Sequence, residues 1–265
     1  MARHSVRLQR GFTPIALLCF VLLYLPVATM VVYAFNAGTT VGTLDGLSMR
    51  WFATAWNNER IIDATLRSLT VALIAAPVAT IAATMAALAT TRTAAYRGLT
   101  FKIAFINQPL MIPEIVIAVA LLVIFSRVKV WTGYTGIGYL IIAHIAFCIP
   151  LAFLPIRARL QTMDLSLERA AADLYARPSV AFRRVTLPLL WPAILAGLML
   201  AFVGSLDDVV ISEFIKSAGQ ETLPTYMLGQ LRRGVTPEMN AISTMFLALS
   251  VIIVTLFFFL SRKKD

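Results

Sequence analysis

Residues 167–194, LERAAADLYARPSVAFRRVTLPLLWPAI, decide how the rest of the chain is interpreted. The first part of this stretch is amphipathic and basic, whereas its last part, from Leu187 onward, opens a long apolar run. Another apolar run ends shortly before it. A polar segment held between two such runs indicates a surface that is presented at one face of a membrane. The stretch therefore predicts a membrane protein that docks a soluble partner.

The composition supports a membrane location. Of the 265 residues, 59% are hydrophobic and only 14% are charged, against about 25% charged residues in an average soluble domain. Long apolar runs are typical of membrane-spanning helices, because a helix satisfies its own backbone hydrogen bonds in hydrocarbon. The short alternating segments of a transmembrane barrel are absent. The net charge of +10 does not indicate nucleic-acid binding, since the Lys and Arg residues lie between the apolar runs.

Six apolar runs reach the length of about 20 residues that a membrane-spanning helix needs. They cover approximately residues 12–35, 65–91, 103–125, 136–156, 188–210 and 241–261. We therefore expect one all-α membrane domain, residues 1–265. The first run is too long for the apolar part of a signal peptide and is interpreted as an uncleaved span. The distribution of Lys and Arg places both termini in the cytoplasm. The segments on the same side as the N-terminus hold 15 Lys and Arg residues, including Arg92, whereas the opposite segments hold eight.

Segment 164–188 has the pattern of a short helix followed by a break. Asp164 or Ser166 can cap the helix, and Glu168 then lies in its first turn, where the helix dipole favours an anion. One face of the helix is apolar at the i, i+3, i+4, i+7 spacing. The residues of this face are Leu167, Ala170, Ala171 and Leu174. From the pattern alone, an amphipathic helix resting on lipid explains the segment as well as a docking surface does.

The same segment resembles a known motif. Glu168, Ala170-Ala171 and Thr186-Leu187-Pro188 resemble the cytoplasmic loop of ABC-importer permeases that carries the EAA coupling helix. In that family the loop docks into a cleft on an ATPase and transmits nucleotide-driven motion. The resemblance implies a coupling role for Glu168, Arg169, Ala170, Ala171, Asp173, Leu174 and Tyr175. Two residues depart from the motif: Arg169 separates the acid from the alanines, and Tyr175 replaces a Gly. Tyr175 is expected to remove the turn that Gly permits.

The resemblance extends over nearly the whole chain. The stretches that resemble the second permease of polyamine-type (spermidine/putrescine) importers are Tyr24-Leu25-Pro26, Tyr33-Ala34-Phe35-Asn36, residues 143–150, Ser205-Leu206-Asp207-Asp208, residues 223–226 and residues 232–241. This resemblance implies the type I ABC importer permease fold, placed in the lipid bilayer of the bacterial inner membrane. It implies alternating access driven by ATP and Mg²⁺ on a separate cytoplasmic ATPase dimer. A second, homologous permease subunit and an extracytoplasmic solute-binding protein are the other implied partners.

Three acidic residues lie within or beside apolar runs, where an ionised group costs roughly 2.5 kcal/mol or more at the bilayer centre. Glu114 lies midway along the third run, where Pro109 and Pro113 are expected to interrupt the helix. Asp207 and Asp208 lie near the outer end of the fifth run. We expect these carboxylates to line the route of a cation, by the resemblance a polyamine. The alternatives are a structural carboxylate for Glu114 and a helix-capping pair for Asp207 and Asp208.

Other function classes fit less well. His144, in the fourth run, lacks the HExxH or paired Ser that an intramembrane enzyme needs, and is expected to be a buried neutral imidazole bonded between helices. No residue is predicted to be catalytic or to bind a metal, and Cys19 and Cys148 are expected to be buried free thiols. The sequence holds no Gly-rich Lys-Ser/Thr phosphate loop, so ATP hydrolysis belongs to a partner and this chain needs no cofactor. Transport of another small solute, or secondary transport without ATP, remains an alternative.

Overall fold

The computed structural model of the chain describes residues 12–40, 42–93, 96–234 and 236–261. These residues form helices and connecting loops, and no strand occurs among them beyond one isolated antiparallel bridge between Asn36 and Leu47. The α-helices are α1 (Phe12–Ala34), α2 (Arg50–Trp56), α3 (Glu59–Thr91), α4 (Leu99–Met111), α5 (Glu114–Thr132), α6 (Gly138–Thr162), α7 (Ser166–Asp173), α8 (Pro178–Ala181), α9 (Leu187–Leu206), α10 (Val210–Ile215), α11 (Leu223–Leu231) and α12 (Pro237–Ser261). A π-helical turn, Phe182–Thr186, joins α8 to α9.

Six stretches are long and apolar enough to cross a membrane, which confirms the predicted all-α protein with six membrane helices. They are Thr13–Ala34, Glu59–Thr91, Glu114–Thr132, Gly138–Thr162, Pro178–Leu206 and Pro237–Phe257. Part of the charge behind the predicted topology, at Arg3, Arg7, Arg10, Arg262, Lys263 and Lys264, lies outside the described residues, and the structure contains no membrane. The orientation of the chain therefore stays a prediction, as does its being one functional domain.

The third predicted run, 103–125, is in fact two helices. Helix α4 ends at Met111, Ile112 is extended (φ −91°, ψ 140°), and α5 begins after Pro113. The proline ring disfavours helical geometry in the residue before it, which explains the extended Ile112. Pro109 lies inside α4 and causes no break, so only one of the two prolines acts as predicted. Glu114 is consequently the first residue of α5 rather than a residue in the middle of a span.

Two compact units divide the chain. The first comprises Met1–Glu59 with Gln230–Leu249, and the second comprises Arg60–Gly229 with Ser250–Asp265. In the first unit, the buried side chain of Asn36 organises the loop after α1. Its Oδ1 accepts hydrogen bonds from the backbone N–H groups of Gly38 and Asp45, and its Nδ2 donates to the carbonyl of Thr43. Cys19, on α1 of this unit, is exposed rather than buried.

The second unit contains the candidate sites. One face of α3 is buried through small residues, which allow neighbouring helices to approach closely. The buried alanines are Ala64, Ala72, Ala75, Ala76, Ala79, Ala83 and Ala87. Val71 of α3 joins a core of Ala118, Tyr139, Leu140, Ala143, Ile211 and Ile215. Helices α6 and α9 approach closely, since a Cβ built on Gly197 would lie 2.9 Å from the carbonyl oxygen of Ala152.

Candidate functional site

The three acids singled out from the sequence lie together in the structure. Glu114 opens α5, Asp207 caps the C-terminal end of α9, and Asp208 lies in the link to α10. Because α10 packs against α5, the Glu114 side chain lies close enough to Asp207 and Asp208 for their charges to interact. We call Glu114, Asp207 and Asp208 the acidic cluster. Helix α9 ends at Leu206, so the two aspartates follow the fifth membrane helix instead of lying within it.

Asp208 has a structural role within this cluster. Its side chain is buried, and its two oxygens accept hydrogen bonds from the backbone N–H groups of Ile211 (3.3 Å) and Ser212 (2.8 Å) in the first turns of α10. The hydroxyl of Ser212 donates to the same carboxylate at 2.8 Å. The helix-capping alternative therefore describes Asp208. Asp207 is exposed and Glu114 is partly exposed, so these two acids can offer oxygens to a cation.

His144 is a buried side chain that contacts Asp208 of the acidic cluster and two serines beside it. Its Nδ1 lies 2.7 Å from Ser205 Oγ on α9, its Nε2 lies 3.0 Å from Ser212 Oγ on α10, and Nε2 is 3.4 Å from Asp208 Oδ2. The ring is 1% exposed, which confirms the prediction of a buried histidine hydrogen-bonded between helices. The sequence did not indicate Ser205 and Ser212 as its partners, since they lie far from it along the chain.

The acidic cluster offers carboxylate oxygens that can accept hydrogen bonds from a cation. Among the residues described by the structure, no group of three or more His, Cys, Asp and Glu side chains could hold a metal ion. Asp207 and Glu114 can accept hydrogen bonds from ammonium groups, and charge-assisted bonds of this kind are about twice as strong as neutral ones. The role of Glu114, Asp207 and Asp208 in a substrate route stays a prediction.

The 164–188 loop contains the short helix that its pattern predicted, α7. Asp164 supports the start of this helix, because its carboxylate accepts hydrogen bonds from the Ser166 backbone N–H (2.8 Å) and hydroxyl (2.6 Å). These two hydrogen bonds favour the ionised carboxylate and lower the pKa of Asp164 below its ordinary value. Of the two capping residues considered, Asp164 is the one that binds the helix.

The apolar residues at the end of α7 are uncovered in this chain. Leu174 is 81% exposed and Tyr175 is 97% exposed, while Leu167 is about half exposed. Neighbouring exposed apolar residues can mark a surface that a partner protein or lipid covers. This exposure is what a docking surface requires, and the coupling role of Glu168, Arg169, Ala170, Ala171, Asp173, Leu174 and Tyr175 stays a prediction.

The turn at the end of α7 forms although Tyr175 stands where Gly was expected. It adopts a left-handed backbone (φ +58°) and is the one non-glycine residue with positive φ in the described ranges. The Tyr175 N–H donates to the carbonyl of Ala172 at 2.9 Å, and the Ala176 N–H donates to that of Ala171 at 3.0 Å. This pair of bonds is the Schellman arrangement, which normally carries Gly at the left-handed position. The expectation that Tyr175 removes the turn is wrong: the turn forms with the tyrosine held in a strained conformation.

Glu168 makes contacts that the sequence did not reveal. Its Oε1 lies 3.1 Å from Arg92 Nη2 and accepts a hydrogen bond of 3.1 Å from Thr186 Oγ1. No local feature of the sequence indicates Arg92 or Thr186 as a partner of Glu168, since both lie far from it along the chain. The carboxylate thus faces the interior of the second unit, whereas Leu174 and Tyr175 face outward from the loop.

Several proteins with established names are similar to most of this chain. The putrescine transport system permease protein PotI of Escherichia coli K12 is 35% identical over 236 residues, which cover 88% of this chain and 84% of that protein. The spermidine/putrescine transport system permease protein PotC of the same strain is 33% identical over 258 residues, 97% of this chain and 96% of that protein. PotC of Haemophilus influenzae is 35% identical over 243 residues, 92% and 93% of the two chains.

Solved structures share the fold. A chain of a bacterial ABC transporter that imports the acidic polysaccharide alginate superposes with a TM-score of 0.72 at 17% identity, covering 95% of this chain and 93% of that one. The same type of transporter in complex with a periplasmic protein that carries alginate pentasaccharide gives a TM-score of 0.69. The predicted importer-permease fold is thereby confirmed. Residues 51–263 match the family described as binding-protein-dependent transport system inner membrane component, and the chain belongs to this family of inner-membrane transport subunits.

Proposed function

We propose that this chain is the permease subunit of an ABC importer that forms part of the translocation path for polyamine cations of the putrescine and spermidine class. The observation that carries the substrate class is the acidic cluster, because Glu114 opens α5, Asp207 and Asp208 follow the end of α9, and the next helix, α10, packs against α5. The relatives named for putrescine and spermidine transport support the same class.

Asp207 and Glu114 are suited to a cation that binds briefly and moves on rather than to a cation that is held tightly. Asp208 is held in place by Ser212 and His144, and its negative charge attracts a cation without contacting it. Asp207 and Glu114 offer oxygens that an ammonium group can contact. A transport site must bind its substrate well enough to admit it and weakly enough to release it. Two partly exposed carboxylates next to a fixed one satisfy that balance, because solvent screens their attraction for the cation.

Energy for transport comes from outside this chain. A separate ATPase dimer that binds ATP and Mg²⁺ would dock on the uncovered end of α7, around Leu174 and Tyr175. A second, homologous permease would complete the path, and an extracytoplasmic solute-binding protein would deliver the polyamine. Movement of the 164–188 loop with the ATPase would open the path alternately to each side of the membrane.

The test is uptake of labelled putrescine and spermidine by cells that contain or lack this chain, with its partners present. Loss of uptake of either polyamine on deletion is the expected result. Glu114→Gln and Asp207→Asn should lower uptake, whereas Glu59→Gln, the same change at an exposed acid outside the cluster, should not. Unchanged uptake of both polyamines on deletion, in cells without another polyamine importer, would refute the substrate class.

A further inference from the structure

Arg92, the residue that follows α3, connects several parts of the second unit through one guanidinium group. Its Nη1 donates to the backbone carbonyl of Leu160 at 3.1 Å, and its Nη2 lies 3.1 Å from Glu168 Oε1. The same Oε1 accepts the hydroxyl of Thr186 at 3.1 Å. These contacts join the ends of α3 and α6, helix α7, and the π-helical turn that precedes α9.

The position of Arg92 suits a cation. Leu160 lies in the last turn of α6, where backbone carbonyls have no partner within the helix, and α3 ends beside Arg92 itself. The partial negative charge at such helix ends attracts an arginine. The side chains of Arg92 and Glu168 are only 19% and 24% exposed, and Thr186 is 5% exposed. Solvent therefore screens this ion pair less than an ion pair on an open surface.

The geometry also explains why the residue is arginine. A guanidinium presents several N–H groups in a fixed plane, so it can serve a carbonyl and a carboxylate at once. The ammonium of a lysine is a single point of charge on a flexible stem. Along the chain, α7 is joined to α6 by residues 163–165 and to the π-helical turn by residues 174–181, and it also packs against α8 and that turn.

We propose that Arg92 and Thr186 are positioning residues that hold Glu168, and with it α7, against the ends of α3, α6 and α9. A displacement of α7 then moves those helix ends together instead of bending the short loop segments. The proposal rests on the proposed function in one respect, because the displacement it transmits is the one that an ATPase docked on α7 would deliver.

The first experiment measures the attachment of α7 without partners or substrate. Spin labels are placed at the exposed positions Ala89 on α3 and Ala172 on α7, after both native cysteines have been replaced by alanine. The distribution of label distances in the purified chain should be narrow in the parent and broad or displaced in Arg92→Gln. Arg97→Gln removes the same charge from an exposed arginine of the same inter-helix segment and should match the parent. An unchanged distribution in Arg92→Gln would overturn the proposal.

The second experiment measures coupling in the assembled transporter. With ATPase, second permease and binding protein reconstituted in proteoliposomes, substrate transported per ATP hydrolysed should fall about fivefold or more in Arg92→Gln. Thr186→Val should lower the ratio less, and Arg97→Gln should leave it unchanged. Exchange of the two charges in Arg92→Glu/Glu168→Arg should recover part of the loss seen in either single variant. A ratio that is the same in Arg92→Gln as in the parent would refute the proposal.

The two experiments separate this inference from the proposed function. If the parent transporter imports neither putrescine nor spermidine, the proposed function fails, while the label distances in the purified chain still test Arg92. If the parent imports polyamine and Arg92→Gln changes neither the distances nor the ratio, only the inference about Arg92 fails.

Discussion

Replacement of Tyr175 by glycine should stabilise the end of α7. Tyr175 occupies the left-handed position of the turn at φ +58°, and its side chain is 97% exposed. The substitution therefore removes almost no buried apolar area, and the backbone hydrogen bonds of Tyr175 and Ala176 can stay in place. The substitution therefore acts through the backbone of residue 175 alone: glycine adopts the left-handed conformation more easily in the folded chain and has more freedom in the unfolded chain.

The magnitude follows from two opposing effects. A left-handed conformation costs an L-residue other than Gly about 1–2 kcal/mol, and glycine escapes this cost. Glycine also gains freedom in the unfolded chain, which destabilises the folded state by about 0.4–1 kcal/mol. The strain relief exceeds the entropy loss, so we expect a net local stabilisation of about 0.5–1 kcal/mol.

Hydrogen exchange of the amides of Leu174, Tyr175 and Ala176 measures this effect in the intact chain, because these amides close the turn. The stabilisation corresponds to exchange about 2–5 times slower in Tyr175→Gly if local opening limits exchange. Tyr175→Ala is the matched control, since it removes the ring but keeps the Cβ that causes the strain, and it should exchange like the parent. Equal exchange in the Gly and Ala variants would refute the strain argument.

Three further predictions concern the second unit. Glu114→Gln and Asp207→Asn should each lower the initial rate of polyamine uptake about tenfold or more, since a charge-assisted hydrogen bond contributes about 1.5–3 kcal/mol; changes below twofold in both would contradict the cation site. Gly197→Ala should destabilise the chain by about 1–3 kcal/mol, because its Cβ would meet a backbone oxygen of α6 at 2.9 Å. Thermal unfolding in detergent measures this, with Gly229→Ala, whose Cβ meets no atom within 4 Å, as the control that should not destabilise. His144→Ala should cost about 1–3 kcal/mol in the same assay, since it leaves the buried Ser205 hydroxyl without the ring that binds it. A melting temperature equal to that of the parent would contradict the role given to this ring.

The membrane helices could be predicted from sequence because their signal is local. Apolar runs of sufficient length and the pattern of 164–188 depend only on residues that are neighbours along the chain, so the six spans and α7 were found. The expectation that two prolines would interrupt the third run was only half right, because a proline's effect depends on its position in the helix. Pro109 and Pro113 look equivalent in sequence, yet only Pro113 interrupts the helix, because Pro109 is accommodated near the end of α4.

The candidate sites depend on contacts between residues that are distant in sequence. Asp208 caps α10 and faces His144. The residues next to it in sequence would look the same if its carboxylate faced a substrate instead. Arg92 is likewise an ordinary charge in the sequence, because its contact with Glu168 appears only when the end of α3 is placed beside that side chain. The left-handed backbone of Tyr175 was unpredictable for another reason, since the surrounding turn imposes a conformation that the residue itself disfavours.

Helices α6 and α9 connect the 164–188 loop to the acidic cluster. Helix α9 begins directly after Thr186, which binds Glu168, and carries Ser205, which binds His144, in its last turn. Its 20 residues span about 30 Å. Helix α6 is held in the same way, with Leu160 bonded to Arg92 near one end and His144 near the other.

The close packing of α6 on α9 around Gly197 makes it hard for either helix to slide past the other, because packed interiors resist small displacements. The π-helical turn at the base of α9 is a place where backbone register can change, and π-helical turns are frequent at functional sites. A movement of α7 should therefore reach Asp207 and Asp208 as a displacement of the paired helices. A route through loops alone would lose that movement in flexible backbone, which is why we expect coupling to depend on Arg92 and on the α6–α9 contact.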